Sequence, residues 1–283
     1  MARALVAIFA HNEERRIAGC INSLPLHSDA FEFHLLVNGT TDRTIDIARA
    51  QTVGSPNFHI HHLPFGGKAR TWNYFVDTLF DPAATACLFV DGDAGVMPGA
   101  LEAMVATLAA QPQANGVNAM PVTGRKQGIY RAAILADHGL FGALYGLSSD
   151  FVGRLKASSI RLPHDLIGDD GLIGALAKTD LAPESNWDKT RIANCETAQF
   201  RFEEADWRVP TTWRLQFRRM INYSIRRYQN MIVSSIMRGP GPTALPETMR
   251  ETYAAHWHRF DIRAAHAPFD WLAKRRMRKL PQS

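Results

Sequence analysis

Four short apolar runs, each ending at a polar cluster and each followed by residues at helical spacing, constrain this chain more than any other feature. The runs are residues 4–9 (ALVAIF), 33–37 (FHLLV), 58–63 (FHIHHL) and 87–90 (CLFV). A continuous apolar run of this length suits a strand buried on both faces. Between the runs, Ile17, Ile21 and Leu24 form one apolar stripe, and residues 45–50 continue as a second helix. Ala69, Trp72, Val76 and Leu79 mark a third helix, and Leu101, Met104, Val105 and Leu108, started by Pro98, a fourth. Asn12 is placed to cap the first helix, with Glu13 and Glu14 in its first turn. Strand and helix alternating four times predict an α/β fold with a mostly parallel central sheet flanked by helices.

The rest of the chain is less regular. Residues 117–122 read as a further strand and 129–147 as an amphipathic helical region. Gly239-Pro240-Gly241-Pro242 breaks the chain. These features divide its 283 residues into a domain over 1–235, with halves 1–115 and 116–235, and an extension over 236–283. The extension is basic: Lys274, Arg275, Arg276, Arg278 and Lys279 crowd the last ten residues of a chain with net charge +5. Either it contacts an anionic membrane surface peripherally or it is a solvated terminal helix. No base-stacking aromatic array accompanies it, so nucleic acid is not an expected partner. Cys20, Cys87 and Cys195 lack metal-like spacing and read as small core residues of a reduced protein. The N-terminus reads as a first strand rather than a signal peptide, and no run of roughly 18 apolar residues is present. The expected location is cytoplasmic, with the inner membrane face as a peripheral site.

In an open parallel sheet, ligands bind at the carboxyl ends of the strands. Three clusters follow strands directly there: His11-Asn12-Glu13, Asn38-Gly39-Thr40-Thr41-Asp42 and Asp91-Gly92-Asp93. Two carboxylates one residue apart can hold a hard divalent cation, with phosphate oxygens completing its shell. Gly92 between them lets backbone approach a ligand closely.

The succession IFAHNEERRIAGCINSL, VNGTTDRTIDIA, GGKARTWN, LFVDGDAGVMPGAL and LIGDDGLI resembles the family 2 glycosyltransferases of the GT-A fold, over roughly residues 3–180 and more weakly to 225. The resemblance implies an inverting, metal-dependent transfer of a sugar from a nucleotide-diphosphate sugar, a UDP-sugar foremost, to a hydroxyl acceptor. It places Ala10, Asn12 and Glu13 at the nucleotide, joined by Asn38, Lys68, Asp91 and Gly92. It gives the divalent metal (Mn²⁺ or Mg²⁺) to Asp93 with Asp91, and the catalytic base to Asp170 with Asp169 beside it. Arg219, in Gln216-Phe217-Arg218-Arg219-Met220, either contacts the diphosphate or belongs to a solvated basic helix face, with Arg214, Arg218, Arg226 and Arg227 close by. Three departures stand out: Val37 replaces the acid before Asn-Gly, Asp-Asp replaces Glu-Asp, and Met220 stands where processive synthases carry Trp. Arg70 and Asn73 are secondary candidates, Asp42 either contacts the base or caps its helix, and the third metal ligand stays open, with His256 and His258 as options. The competing readings are a sugar-phosphate nucleotidylyltransferase and a non-catalytic nucleotide-sugar binding module.

Overall fold

The computed structural model describes residues 3–203 and 210–279. Its first half winds as β1 (Ala4–Ala10), α1 (Ile17–Ile21), β2 (Phe31–Asn38), α2 (Thr44–Gln51), β3 (Phe58–Leu63), α3 (Lys68–Tyr74), β4 (Ala86–Asp91), β5 (Ala94–Val96) and α4 (Ala100–Ala110). A wider π-type turn (Phe75–Leu79) extends α3. The second half continues as β6 (Gly116–Asn118), β7 (Met120–Pro121), α5 (Gln127–Asp137), β8 (Leu144–Ser148), α6 (Ser149–Ala157), α7 (Asp169–Thr179), β9 (Ile192–Ala193) and β10 (Gln199–Phe202). Three helices close the described chain: α8 (Pro210–Arg238), α9 (Arg250–His256) and α10 (Ala267–Lys279).

The seven-stranded sheet has the order β3-β2-β1-β4-β8-β6-β9. Strands β3, β2, β1 and β4 run parallel, and β8 lies antiparallel between β4 and β6. A small second sheet, β5-β10-β7, sits beside it. Alternating side chains of β1 feed two cores. Leu5, Ala7 and Phe9 face Trp72, Phe75 and Phe89 under α6, α7 and α8, while Val6 and Ile8 face Ile17, Ile21, Leu101 and Met104 under α1 and α4. Trp72 is sealed against Phe89, which stacks on Tyr145 at 4.9 Å and meets Phe75 edge-on at 5.4 Å. Emptying the Trp72 site costs about 3–5 kcal/mol.

The structure corrects the second-half expectations. The amphipathic region over 129–147 is a helix, a turn and a strand. His138 takes a left-handed backbone (φ 48°) that ends α5, and β8 then enters the sheet against β4. Strand β8 is buried on both faces, so its apolar run carries no period to separate it from a helix. The strand expected over 117–122 is two short pieces, β6 and β7, in different sheets. The boundary at 235/236 falls inside α8, which runs to Arg238 before the Gly-Pro break. Met249, Tyr253, Phe260, Ala273 and Met277, all beyond it, are buried in the same core as Trp72. Among the described residues, no helix is long and apolar enough to cross a membrane.

Candidate active site

The parallel strands β2, β1 and β4 end side by side, and the residues just past each end build the site. Ala10 pairs with Val37, and Phe9 with Asp91. The Asn38 side chain donates to the Ala10 carbonyl (3.2 Å), and the His11 ring meets the Asn38 carbonyl at 2.7 Å, tying the first two ends together. At the third end, the Gly92 amide donates to the Phe9 carbonyl at 2.8 Å. A Cβ on Gly92 would stand 2.9 Å from that same oxygen, so no larger residue fits without moving backbone. Phe9, Ala10, His11, Glu13, Asn38 and Gly92 line a cavity of about 330 Å³, closed on one side by Lys68, Asp91 and Asp93.

Lys68 is the hub. It opens α3, and its ammonium lies 2.6 Å from Asp91, 3.5 Å from Asp169 and 3.2 Å from the Gly142 carbonyl. Burial alone would lower its pKa, but the charges of Asp169 and Asp91 more than reverse this and hold it above the usual lysine range. Glu13 and Asp93 flank Arg16 at 2.7 and 3.3 Å. Glu13 is pushed up to about 7, by burial first, with Asp93 and Asp91 adding and Arg16 opposing. Asp91 is pushed up to about 6, again by burial first, with Lys68 opposing and Asp93 and Asp169 adding. Among the described residues, Glu13 and Asp93 pair with Arg16, and Asp91 and Asp169 with Lys68.

Lys68, Asp91 and Asp93 also line a second, larger cavity of about 900 Å³. Its far wall carries Asp169 and Asp170, the first residues of α7. Asp169 is buried, and its Oδ2 makes no hydrogen bond. Asp170 accepts from the Arg226 guanidinium of α8 at 2.9 Å. Gly168 makes this pairing possible: its φ is +89°, and a Cβ there would collide with the Arg226 Nε. Gln216, Arg219, Asn222 and Tyr223 extend the wall along α8, with Arg125, Lys126 and Tyr130 opposite.

Most of the expected residues therefore converge on the two joined cavities, Ala10, Glu13, Asn38, Lys68, Asp91, Gly92, Asp93, Asp169, Asp170 and Arg219 among them. Asn12 is the exception. It lines neither cavity and does not cap α1, which starts only at Ile17. It takes a left-handed backbone (φ 55°), and its side chain accepts from the Thr41 amide at 2.9 Å, stitching the two loops together. Asp42 is likewise structural: its carboxylate accepts from the Thr44 amide at the start of α2 (3.0 Å) and from the Glu14 amide (3.1 Å). Asn73 clamps the Leu162 backbone, and Arg70 covers the Phe65 ring at 4.2 Å. The His256 ring bonds within its own helix, to the Thr252 carbonyl. Sequence reasoning missed Arg16 and Gly142, and it saw Arg226 only as part of a basic run. The one available signal was Gly168, a glycine directly before the acidic pair.

The donors fit a divalent cation in part. Asp91 and Asp93 offer hard oxygens at a strand end where the two cavities meet, and burial raises the Asp91 pKa to about 6. No group of three or more His, Cys, Asp or Glu among the described residues is placed to hold a metal alone. A cation here takes its remaining oxygens from a ligand, as a bound diphosphate would supply.

No curated protein sequence matches the chain. Among solved structures, a mannosyltransferase from Pyrobaculum calidifontis in complex with GDP-Man and Mn²⁺ shares 17% identity and a TM-score of 0.57, covering 99% of this chain and 76% of its own. The glucosyl-3-phosphoglycerate synthase of Mycobacterium tuberculosis, with Mn²⁺, UDP-Glc and phosphoglyceric acid, gives 17%, 0.55, 87% and 81%. TarS 1-349 of S. aureus with UDP-GlcNAc gives 15%, 0.56, 97% and 80%. At such identities these likenesses establish the GT-A fold. The profile of the family Glycosyl transferase family 2 matches residues 5–152, which hold β1 to β4, the Asp91-Gly92-Asp93 turn and β8. The match spans more than half of the sequence, and the chain belongs to glycosyl transferase family 2 as a glycosyltransferase.

Proposed function

We propose that this protein transfers a sugar, with inversion, from a nucleotide-diphosphate sugar to a hydroxyl acceptor, with a divalent metal at Asp93 and Asp91. One observation carries the reading: two cavities meet at Lys68, Asp91 and Asp93, and a carboxylate pair stands across the larger one. The smaller cavity, walled by backbone at the strand ends, suits the nucleoside. The larger suits the sugar and the acceptor.

Asp170 acts as the base. Its carboxylate removes the acceptor hydroxyl proton as that oxygen forms its bond to the anomeric carbon. The bond from that carbon to the diphosphate oxygen breaks with its electron pair, and the nucleoside diphosphate departs. Attack from the side opposite the leaving group inverts the anomeric centre. Arg226 holds the Asp170 carboxylate in place, Lys68 fixes Asp91 and Asp169, and Arg219 faces the same cavity from α8. When bound, the metal supplies positive charge that stabilises the departing diphosphate. The three similar structures named above were captured with GDP-Man, UDP-Glc and UDP-GlcNAc, and a UDP-sugar is the first donor to test. A cytoplasmic enzyme touching the inner membrane face through its basic C-terminal segment completes the reading.

The test is a panel of nucleotide sugars, assayed for binding and slow hydrolysis with and without Mn²⁺ or Mg²⁺, on wild type and Asp93→Ala. Metal-dependent binding of one donor, lost in the variant, supports the proposal. A folded protein that binds no donor overturns it in favour of a non-catalytic module. The anomeric configuration of the product, read by NMR, decides inversion.

A further inference from the structure

We infer that the outer faces of α8 and α10 form one docking surface for an anionic lipid bilayer, set beside the mouth of the larger cavity. Helix α8 carries six arginines and no acid. Helix α10 carries five Lys or Arg and a single acid, Asp270, which is fully buried and paired with Arg263 at 2.8 Å. The two helices pack together, and Phe217 of α8 meets Phe269 of α10 edge-on at 5.5 Å. No acidic side chain of either helix reaches solvent; Arg226, Arg227 and Arg238 pair with Asp170, Asp261 and Glu184 of other elements, so the cations of α8 that flank the surface are Arg214 and Arg218.

Large aromatic side chains lie among these cations. Trp213 is 60% exposed, Phe217 50% and Trp271 52%. Indole and phenyl rings ringed by arginine are the side chains that settle at the headgroup level of a membrane, with the guanidinium groups on lipid phosphates. The stripe on α8 is placed to matter. Gln216, Arg219 and Tyr223 face the larger cavity, and Trp213 and Phe217 occupy the adjoining stripe of the same helix. A bilayer on this surface therefore lies next to the cavity assigned to the acceptor, and favours an acceptor hydroxyl carried on a lipid. That last consequence rests on the proposed transferase reading, whereas the docking does not.

A bilayer is favoured over a nucleic acid by how the rings are used. Single-stranded nucleic acid stacks its bases on open aromatic faces in a groove. Here the Arg275 guanidinium covers the Trp271 ring at 5.5 Å, and Phe217 is edge-on to its neighbour, both on outward helix surfaces.

The experiment is flotation of the full chain with vesicles of pure phosphatidylcholine and of phosphatidylcholine with about one-third phosphatidylglycerol, with donor hydrolysis measured in parallel without lipid. Wild type should prefer the anionic vesicles by about tenfold, weakening in high salt. Trp213→Ala with Trp271→Ala should lose about tenfold of that binding while hydrolysis stays unchanged. If this variant melts early, Arg214→Glu with Arg275→Glu decides in its place. No binding by wild type, or equal binding by a folded variant, overturns the inference. So does a single-stranded oligonucleotide that displaces the protein from vesicles, which assigns the surface to nucleic acid. So does a wild-type dimer that the substitutions dissociate, which assigns it to a second copy. Vesicle binding without donor hydrolysis in wild type leaves the docking standing and counts against the transferase reading alone.

Discussion

The two cavities that meet at Lys68 are built in different ways. The smaller is made at the ends of β1, β2 and β4, where side chains sit on the last residues of the strands or within three residues beyond them. Their positions follow from the sheet, and backbone bonds such as Gly92 to Phe9 lock them. The larger is walled by long side chains on α8 and on the loop before α5, and its acid, Asp170, depends on a guanidinium from another helix for its orientation. A wall built from strand ends is preformed. A wall built from arginines is adjustable, and its precision rests on a few ion pairs. That difference suits the proposed division, with the nucleoside in the smaller cavity and the acceptor in the larger.

The comparison predicts different kinetic signatures. Asp170→Asn should lower kcat by about 10³-fold with donor affinity unchanged, and a fall under tenfold would place the base elsewhere. The donor side carries its own pH sensitivity in the sheet. His34 of β2 is buried against the rings of His59 and His61 and of Phe75, and its Nε2 makes no hydrogen bond, with the Glu32 carboxylate 3.5 Å away. Burial first, then His61 and His59, lowers its pKa from 6.5 to about 4. The unfolded chain thus takes up this proton first. The stability that neutral His34 contributes is fully present above pH 6.5 and is lost as pH falls to about 4, a loss of about 3 kcal/mol. Urea unfolding at pH 7.5 and 4.5 should show it, and His34→Phe should flatten it; an unchanged slope in the variant would assign the loss to other groups. Asp93→Ala should weaken metal-dependent donor binding by about 100-fold, measured by titration calorimetry. If instead only kcat falls, the division between a binding side and a chemical side fails. Gly168→Ala should cost about 2 kcal/mol of stability and lower kcat, because the left-handed backbone is strained and Arg226 is displaced from Asp170. Asp42→Ala should cost about 1 kcal/mol at the start of α2 and leave donor affinity unchanged, which sets a structural carboxylate apart from those of the site.

The same contrast explains how much could be read in the sequence. Residues at strand ends are visible because an apolar run points to them: Asn38 and Asp91 stand directly after one, and Glu13 and Asp93 within four residues of one. The parallel half of the sheet was legible for that reason. Asn12 misled because its residue type suits a helix cap, whereas the chain turns left-handed there to join two loops. Strand β8 was invisible because burial on both faces erases the alternation that marks a strand. Arg226 lies 56 residues from Asp170, and nothing local announces a contact that only the folded chain makes.

Lys68 also bears on how such a protein can be recombined. It belongs to the first half of the chain, yet two of its three partners, Gly142 and Asp169, belong to the second. An engineer who grafts a relative's acceptor half at residue 115 cuts through a three-way junction: a graft lacking the carbonyl and the carboxylate leaves a buried ammonium with Asp91 alone. Interchangeable halves must therefore match at this one amine before they can match anywhere else, and the workable seam lies around Lys68 and its partners rather than between the halves.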